Sequence, residues 1–257
     1  MPMRKLKIIG IGAGNPDHIT VQAINALKQA DVVFVTDKGE ETADLRIARH
    51  EVCARYMDLK PYRTVEIQDP ERDRGATDYR GAVAAWHERR AVLYERLIQE
   101  RLSENECGAF LVWGDPALYD STLRVIGQVA ARGAVPFEWE IIPGISSVQA
   151  LAARHRISMN EIGGPIHITT GRRLADEKLA AGTTVMVMLD GQCAFNALGN
   201  EDVDIYWGAY LGTPDEILLR GKLSEISEQI EHVRAQARQR KGWIMDAYLL
   251  RKPGATC

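Results

Sequence analysis

The chain has 257 residues, of which 46% are hydrophobic and 26% charged, and its formal net charge is −3. These totals fit a globular protein of one large or two compact domains. They speak against a bulk nucleic-acid footprint, and no apolar run of about 18 residues marks a membrane span. Cys53, Cys107, Cys193 and Cys257 form no CxxC pair, and the six histidines are scattered. Neither a disulfide framework nor a metal site is expected, and a cytoplasmic, reducing environment fits. Residues 1–6 lack the apolar core of a signal peptide.

Residues 6–11 are a short apolar run, expected as a strand, and 12–17 are a turn. Thr20 is placed to cap a helix with Val21, Ile24 and Leu27 on its apolar face. Residues 32–35 read as a second strand, completing a parallel βαβ unit with a right-handed crossover. A helix over 43–56 turns Leu45, Ala48, Val52 and Tyr56 to one side, a strand follows at 64–68, and 69–77 is a charged loop. A long helix over 78–102 places Val83, Trp86, Leu93 and Leu97 inward, and leaves Arg89 and Arg90 to the surface or a dimer contact. His87 and His155 read as core or surface histidines. Strand 109–113 ends in the turn Gly114-Asp115-Pro116.

The second half continues with strands at 138–142, 166–170, 183–189, 205–211, 217–219 and 243–250. Helices are expected at 121–131, 146–155, 174–181 and 224–240, the last with Ile226, Ile230 and Val233 at helical spacing. The late strands follow one another closely, which points to a partly antiparallel sheet. The fold class is therefore α/β, with two lobes, 1–117 and 118–257, that meet near 116–119.

Three loops stand out. Gly10-Ile11-Gly12-Ala13-Gly14-Asn15-Pro16-Asp17 follows the first strand. Its GxGxG spacing and Pro16 do not suit a dinucleotide fingerprint, whose GxGxxG runs into a helix. The glycines either make a tight turn or let a large ligand approach the backbone. Gly114-Asp115-Pro116-Ala117-Leu118-Tyr119 leaves another buried strand, at the end where open α/β sheets bind ligands. Pro143-Gly144-Ile145-Ser146-Ser147 closes a third strand and opens a helix, so its hydroxyls can cap the helix or face a ligand.

In this order, the glycine loop, GDPxxY and PGxSS resemble the tetrapyrrole methylases, a bilobal class of S-adenosylmethionine methyltransferases. Thr170-Gly171-Arg172, Val187-Met188-Leu189 and Gly208-Ala209-Tyr210-Leu211 fall where that family has its later motifs. The resemblance implies two αβα lobes with an active-site trough between them, a homodimer, a carboxylated tetrapyrrole substrate, and S-adenosyl-L-methionine converted to S-adenosyl-L-homocysteine. It assigns Gly114, Asp115, Ser146, Ser147, Met188, Ala209 and Ala247 to the cofactor. Gly12, Gly14, Arg72, Arg74 and Arg172 are the candidates for substrate contact, because arginine forks bind carboxylates in pairs of hydrogen bonds.

Two departures matter. Asn15 replaces the glycine of the family's usual GxGPGD loop, and the C-terminal strand opens with Trp243-Ile244 rather than proline and small residues. Segments 36–39, 69–74 and 86–90 resemble one branch of the family, in which methyl transfer accompanies hydrolytic loss of an acetyl group. That second reaction needs a base and a carbonyl polariser, for which Asp17, Asp115 and Tyr119 are candidates. Methylation of another ring, of a ribosomal RNA or of a modified protein histidine, and non-catalytic ring binding, are the alternatives.

Overall fold

In β1 (Arg4–Gly10), Leu6 and Ile8 face one helical layer and Ile9 faces another. Burial on both sides is the mark of a parallel strand covered by helices above and below. The computed structural model describes residues 3–37, 43–57, 60–71, 73, 75, 77–176, 179–199 and 201–253, in two compact units, 1–146 and 147–257.

The first unit continues with α1 (Val21–Leu27), β2 (Val32–Asp37), α2 (Ala43–Tyr56), β3 (Arg63–Gln68), α3 (Tyr79–Arg101), β4 (Cys107–Val112), α4 (Thr122–Arg132) and β5 (Phe137–Ile142). Its sheet has the order β3-β2-β4-β1-β5, and every pairing is parallel. α3 and α4 pack over Leu6, Phe34 and Phe110, while α1 and α2 pack over Ile9, Val33 and Leu111. Thr20 caps α1 through its hydroxyl, 3.0 Å from the Ala23 amide. Of the expected apolar face, Leu27 is buried and Ile24 packs on the core, but Val21 is 73% exposed, and Ala23 and Ala26 are buried in its place.

The second unit contains α5 (Ser147–His155), β6 (Ile166–Thr170), α6 (Gly171–Leu174), β7 (Thr184–Met188), β8 (Asp204–Ala209), β9 (Ile217–Lys222), α7 (Leu223–Lys241) and β10 (Asp246–Arg251). Its sheet runs β6-β7-β10-β8-β9; β6 and β7 are parallel and the other pairs antiparallel. The mixed sheet expected from the closely spaced strands is present. No described helix is long and apolar enough to cross a membrane.

Three expectations are revised. The division falls after Ser146, not after residue 117, because β5 pairs along β1 from Arg4↔Phe137 to Ile9↔Ile142 and holds α4 with it. The helix expected at 174–181 is instead the short α6, which starts where β6 ends. Residues 179–183 then turn into β7, closed by the Thr183 amide on the Ala180 carbonyl at 3.0 Å, while 177 and 178 lie outside the described residues. In α3, the buried stripe is His87, Arg90, Ala91, Tyr94 and Ile98, with Leu93 and Leu97 at its flank. A polar stripe can face inward only if its groups find partners, and Arg90 does.

Candidate active site

The first unit's sheet reverses its wiring between β1 and β4. The helix after β1 lies on one face and the helix after β4 on the other, which makes this pair of neighbours a topological switch point. There Gly12 and Gly114 form an isolated antiparallel bridge, with the Gly114 amide donating to the Gly12 carbonyl at 2.8 Å. The loop after β5 joins them. A Cβ on Gly10 would lie 2.7 Å from the Gly114 carbonyl oxygen and 2.7 Å from the Gly144 nitrogen. The exits of three strands therefore meet backbone to backbone, a distance only glycine permits. Gly114 (φ 71°) and Gly12 (φ 90°) also need the left-handed region.

Asp115 fastens this junction. One carboxylate oxygen accepts the Ala117 amide at 2.8 Å, and the other accepts the Gly144 amide at 2.9 Å. Ser146 is buried behind Gly114 at 3% exposure, and half-buried Ser147 opens α5. Tyr119, at φ 52°, is 44% exposed. A non-glycine residue in that region is held by its surroundings, a feature common at functional sites.

The glycine loop is carried by a 3-10 turn, Pro16–His18. Asn15 keeps extended backbone, φ −75°, and its side chain accepts the Asp17 amide at 2.9 Å. The loop thus needs no glycine at that position; the positive φ falls on Gly14, at 144°. Asp17 forms an ion pair with Arg55 at 2.6 Å, with both side chains more than half exposed. Gly12, Gly14, Gly114, Asp115, Ser146 and Tyr119 thus lie on or beside one junction, and Asp17 at its margin. Arg72 and Arg74 lie outside the described residues.

In the second unit, Met188 at the end of β7 pairs with Ala247, and Ala209 at the end of β8 pairs with Asp246. Met188, Ala209 and Ala247 therefore sit together at one end of the three central strands of that sheet. Leu189 and Tyr210, which follow β7 and β8, both have positive φ, 53° and 50°. Tyr210 anchors the segment before β10: its amide donates to the Met245 carbonyl at 2.9 Å and its hydroxyl to the Trp243 carbonyl at 2.6 Å. Trp243 packs edge-on against the Tyr210 ring, so the departure from proline and small residues is accommodated by an aromatic contact. Arg172 is exposed in the first turn of α6.

Beneath that end is a buried polar network that sequence reasoning missed. Asp190 accepts the Tyr248 hydroxyl at 2.6 Å, and a Cβ on Gly171 would lie 2.5 Å from the same carboxylate. Arg234 pairs with Asp246 at 2.9 Å, and Trp207 donates to that carboxylate at 3.0 Å. Burial opposes the Arg234 charge, but the Asp246 carboxylate beside it wins and raises its pKa. Burial, with the Asp190 carboxylate adding to it, drives the Tyr248 hydroxyl far above the ordinary tyrosine range, so it remains a proton donor.

Arg90 is also corrected. It is 3% exposed rather than a surface or dimer residue, because three kinds of partner replace water around it. Its guanidinium pairs with Asp69 at 2.7 Å and donates to the Ser121 and Tyr94 hydroxyls at 2.5 Å each. An arginine four residues from a tyrosine on the inward stripe was the available signal.

Parallel-sheet loops joined by glycine at a switch point, with a second mixed α/β unit, define the architecture of the class III S-adenosylmethionine methyltransferases. The chain belongs to the Tetrapyrrole (Corrin/Porphyrin) Methylases, whose family model matches residues 5–227. It is 52% identical over 250 residues to the precorrin-6A synthase [deacetylating] of Sinorhizobium sp, covering 97% of this chain and 96% of that one. A crystal structure of a cobalamin-synthesis-related protein (CobF) from Corynebacterium diphtheriae matches with a TM-score of 0.83 and 38% identity, over 97% of this chain and 99% of that one. Uroporphyrin-III C-methyltransferase from Thermus thermophilus, complexed with S-adenosyl homocysteine, shares the fold at TM-score 0.57 and 17% identity, over 96% of this chain and 92% of that one.

Proposed function

We propose that this protein is a precorrin-6A synthase of cobalamin biosynthesis. It transfers a methyl group from S-adenosylmethionine to C1 of precorrin-5 and releases the extruded two-carbon unit as acetate. The observation that carries this reading is the 52% identity to the Sinorhizobium enzyme across nearly the full length of both chains. In the same reading the protein is a cytoplasmic homodimer.

The cofactor supplies a methyl group on a sulfonium sulfur, already an excellent leaving group. What the chain must add is alignment, and well-oriented reactants gain up to about 7–11 kcal/mol from it. The first unit is built to align. Asp115 clamps the two loops that carry Gly114 and Ser146, so their backbone and hydroxyl groups are held before any ligand arrives. The resemblance adds Ser147, Met188, Ala209 and Ala247 to the cofactor, and Gly12, Gly14, Arg72, Arg74 and Arg172 are the candidates for the ring. The ring carbon attacks the methyl carbon with electrons from adjacent pyrrole nitrogens, and the C–S pair leaves on sulfur. No enzyme nucleophile is needed.

Deacetylation adds water to the acetyl carbonyl, then breaks the carbon–carbon bond and returns its electron pair to the ring. Asp115 already accepts two amides, and Asp17 is engaged by Arg55. Asp17, Asp115 and Tyr119 stay the candidates for base and polariser, and in this reading Tyr119 is the polariser because a neutral hydroxyl can donate to the acetyl oxygen, as an ionised carboxylate cannot. Incubation with precorrin-5 and S-adenosylmethionine, followed by mass spectrometry and an acetate assay, tests the whole scheme. One methyl gained with one acetate released is expected; methylation without acetate overturns the deacetylating assignment. Tyr119→Phe should slow acetate release more than methyl transfer.

A further inference from the structure

Residues 69–71 leave β3 at the same carboxyl end of the first sheet as the glycine junction, two strands from β4, and α3 holds them at three points. Trp86 Nε1 donates to the Pro70 carbonyl at 2.7 Å, Arg89 donates to the Glu71 carbonyl at 3.0 Å, and Arg90 pairs with Asp69. The Arg90–Asp69 side chains are 4% and 6% exposed, so neither charge is shared with solvent. The same guanidinium reaches Ser121, the residue that precedes α4 and ends the GDPxxY loop, and it stacks 4.7 Å over the Trp86 ring. Ser121 makes no side-chain cap to its own helix. Tyr94, bonded to Arg90, also shares a side-chain hydrogen bond with Thr36 near the end of β2. One guanidinium thus ties together the exits of β2, β3 and β4.

We infer that Arg90 is a positioning residue for the tetrapyrrole: it presets the post-β3 segment against the GDPxxY loop, and so governs ring recognition rather than cofactor affinity. The inference rests on the methylase reading. Within that reading the first unit's cofactor contacts lie at the β4 and β5 exits, where Asp115 fastens one loop to the other. Two nitrogens of one rigid plane donate to the Ser121 and Tyr94 hydroxyls while the third, Nε, lies 2.7 Å from the Asp69 carboxylate as an ion pair, a geometry that lysine, with one nitrogen, does not reproduce. Burying an ion pair is no route to stability by itself, and its best-attested use is to specify one arrangement over others.

The test compares wild type with Arg90→Lys, Asp69→Asn and Ser121→Ala. Ring affinity is read by fluorescence titration with uroporphyrin III as a carboxylated probe, cofactor affinity by calorimetry with S-adenosylhomocysteine, and folding by thermal melting. Ring affinity should fall about tenfold in Arg90→Lys and about threefold in Ser121→Ala, with S-adenosylhomocysteine affinity unchanged within about twofold. Asp69→Asn, which keeps an acceptor, should fall between wild type and Arg90→Lys. Should Arg90→Lys fail to fold, Ser121→Ala removes one hydroxyl only and decides the matter. Ring and cofactor affinities that fall together, or ring affinities that do not move, overturn the inference. A wild-type protein that binds neither probe overturns the methylase reading itself, and the inference with it.

Discussion

The Asp115 carboxylate accepts the Gly144 amide at 2.9 Å, so the side chain of the loop after β4 grips the backbone of the loop after β5. With the Ala117 amide on its other oxygen, it shapes its own loop and fastens the neighbouring one. Asp115→Ala removes both bonds. Hydrogen bonds to a charged group contribute roughly 1.5–3 kcal/mol each, so S-adenosylhomocysteine affinity should fall about 10- to 100-fold while the fold survives. Calorimetry alongside a thermal melt measures this, and wild-type affinity in the variant would remove Asp115 from the role.

Glycine is required at the junction and replaceable elsewhere. Gly10→Ala puts a methyl group 2.7 Å from two backbone atoms, and neither can move without shifting a strand exit. A loss of about 2–4 kcal/mol is expected by urea denaturation, in the range of large single-site effects. Gly127→Ala is the contrast: it lies inside α4 with nothing within 4 Å of the new methyl group. It should stabilise by roughly 0.5–1 kcal/mol, the helix preference for alanine.

Arg234→Ala should destabilise by about 3–5 kcal/mol, because it leaves the Asp246 carboxylate buried without its counter-charge. Tryptophan fluorescence during denaturation reports the change, since Trp207 donates to the same carboxylate. A midpoint equal to wild type would show that Asp246 finds another partner.

Burial lowers the pKa of His155, against the hydrogen bond it makes with the Trp207 carbonyl. Burial also lowers that of His87, with Arg90 adding to it. The unfolded state then takes up protons near pH 6.5 that the folded state refuses, so stability is full above that value and declines as pH falls through it. The urea midpoint should drop between about pH 7.5 and pH 5.5, and the drop should be smaller in His155→Gln. An identical drop in the variant would sink the assignment.

Most of the order of elements and the three glycine-marked bends were legible in the chain because they depend on local chemistry. Apolar runs of strand length alternate with helical spacing, Thr20 stands where a cap is needed, and glycine or proline marks each bend. Where those cues were absent, expectation and structure part. Nothing local reveals that β5 lies beside β1, across about 130 residues of chain, and so the unit boundary is set after Ser146 by strand pairing.

What the sequence determined by itself was the alternation of strand and helix and the family motifs, since propensity and turn chemistry act within a few residues. Only the tertiary structure decided that Gly10, Gly114 and Gly144 touch, that Asp115 is a clamp, and that Arg90 is buried. Charge and polarity read outward on a sequence. They turn inward when distant segments supply the missing hydrogen bonds, and which segments do so depends on how the strands are ordered in the sheet.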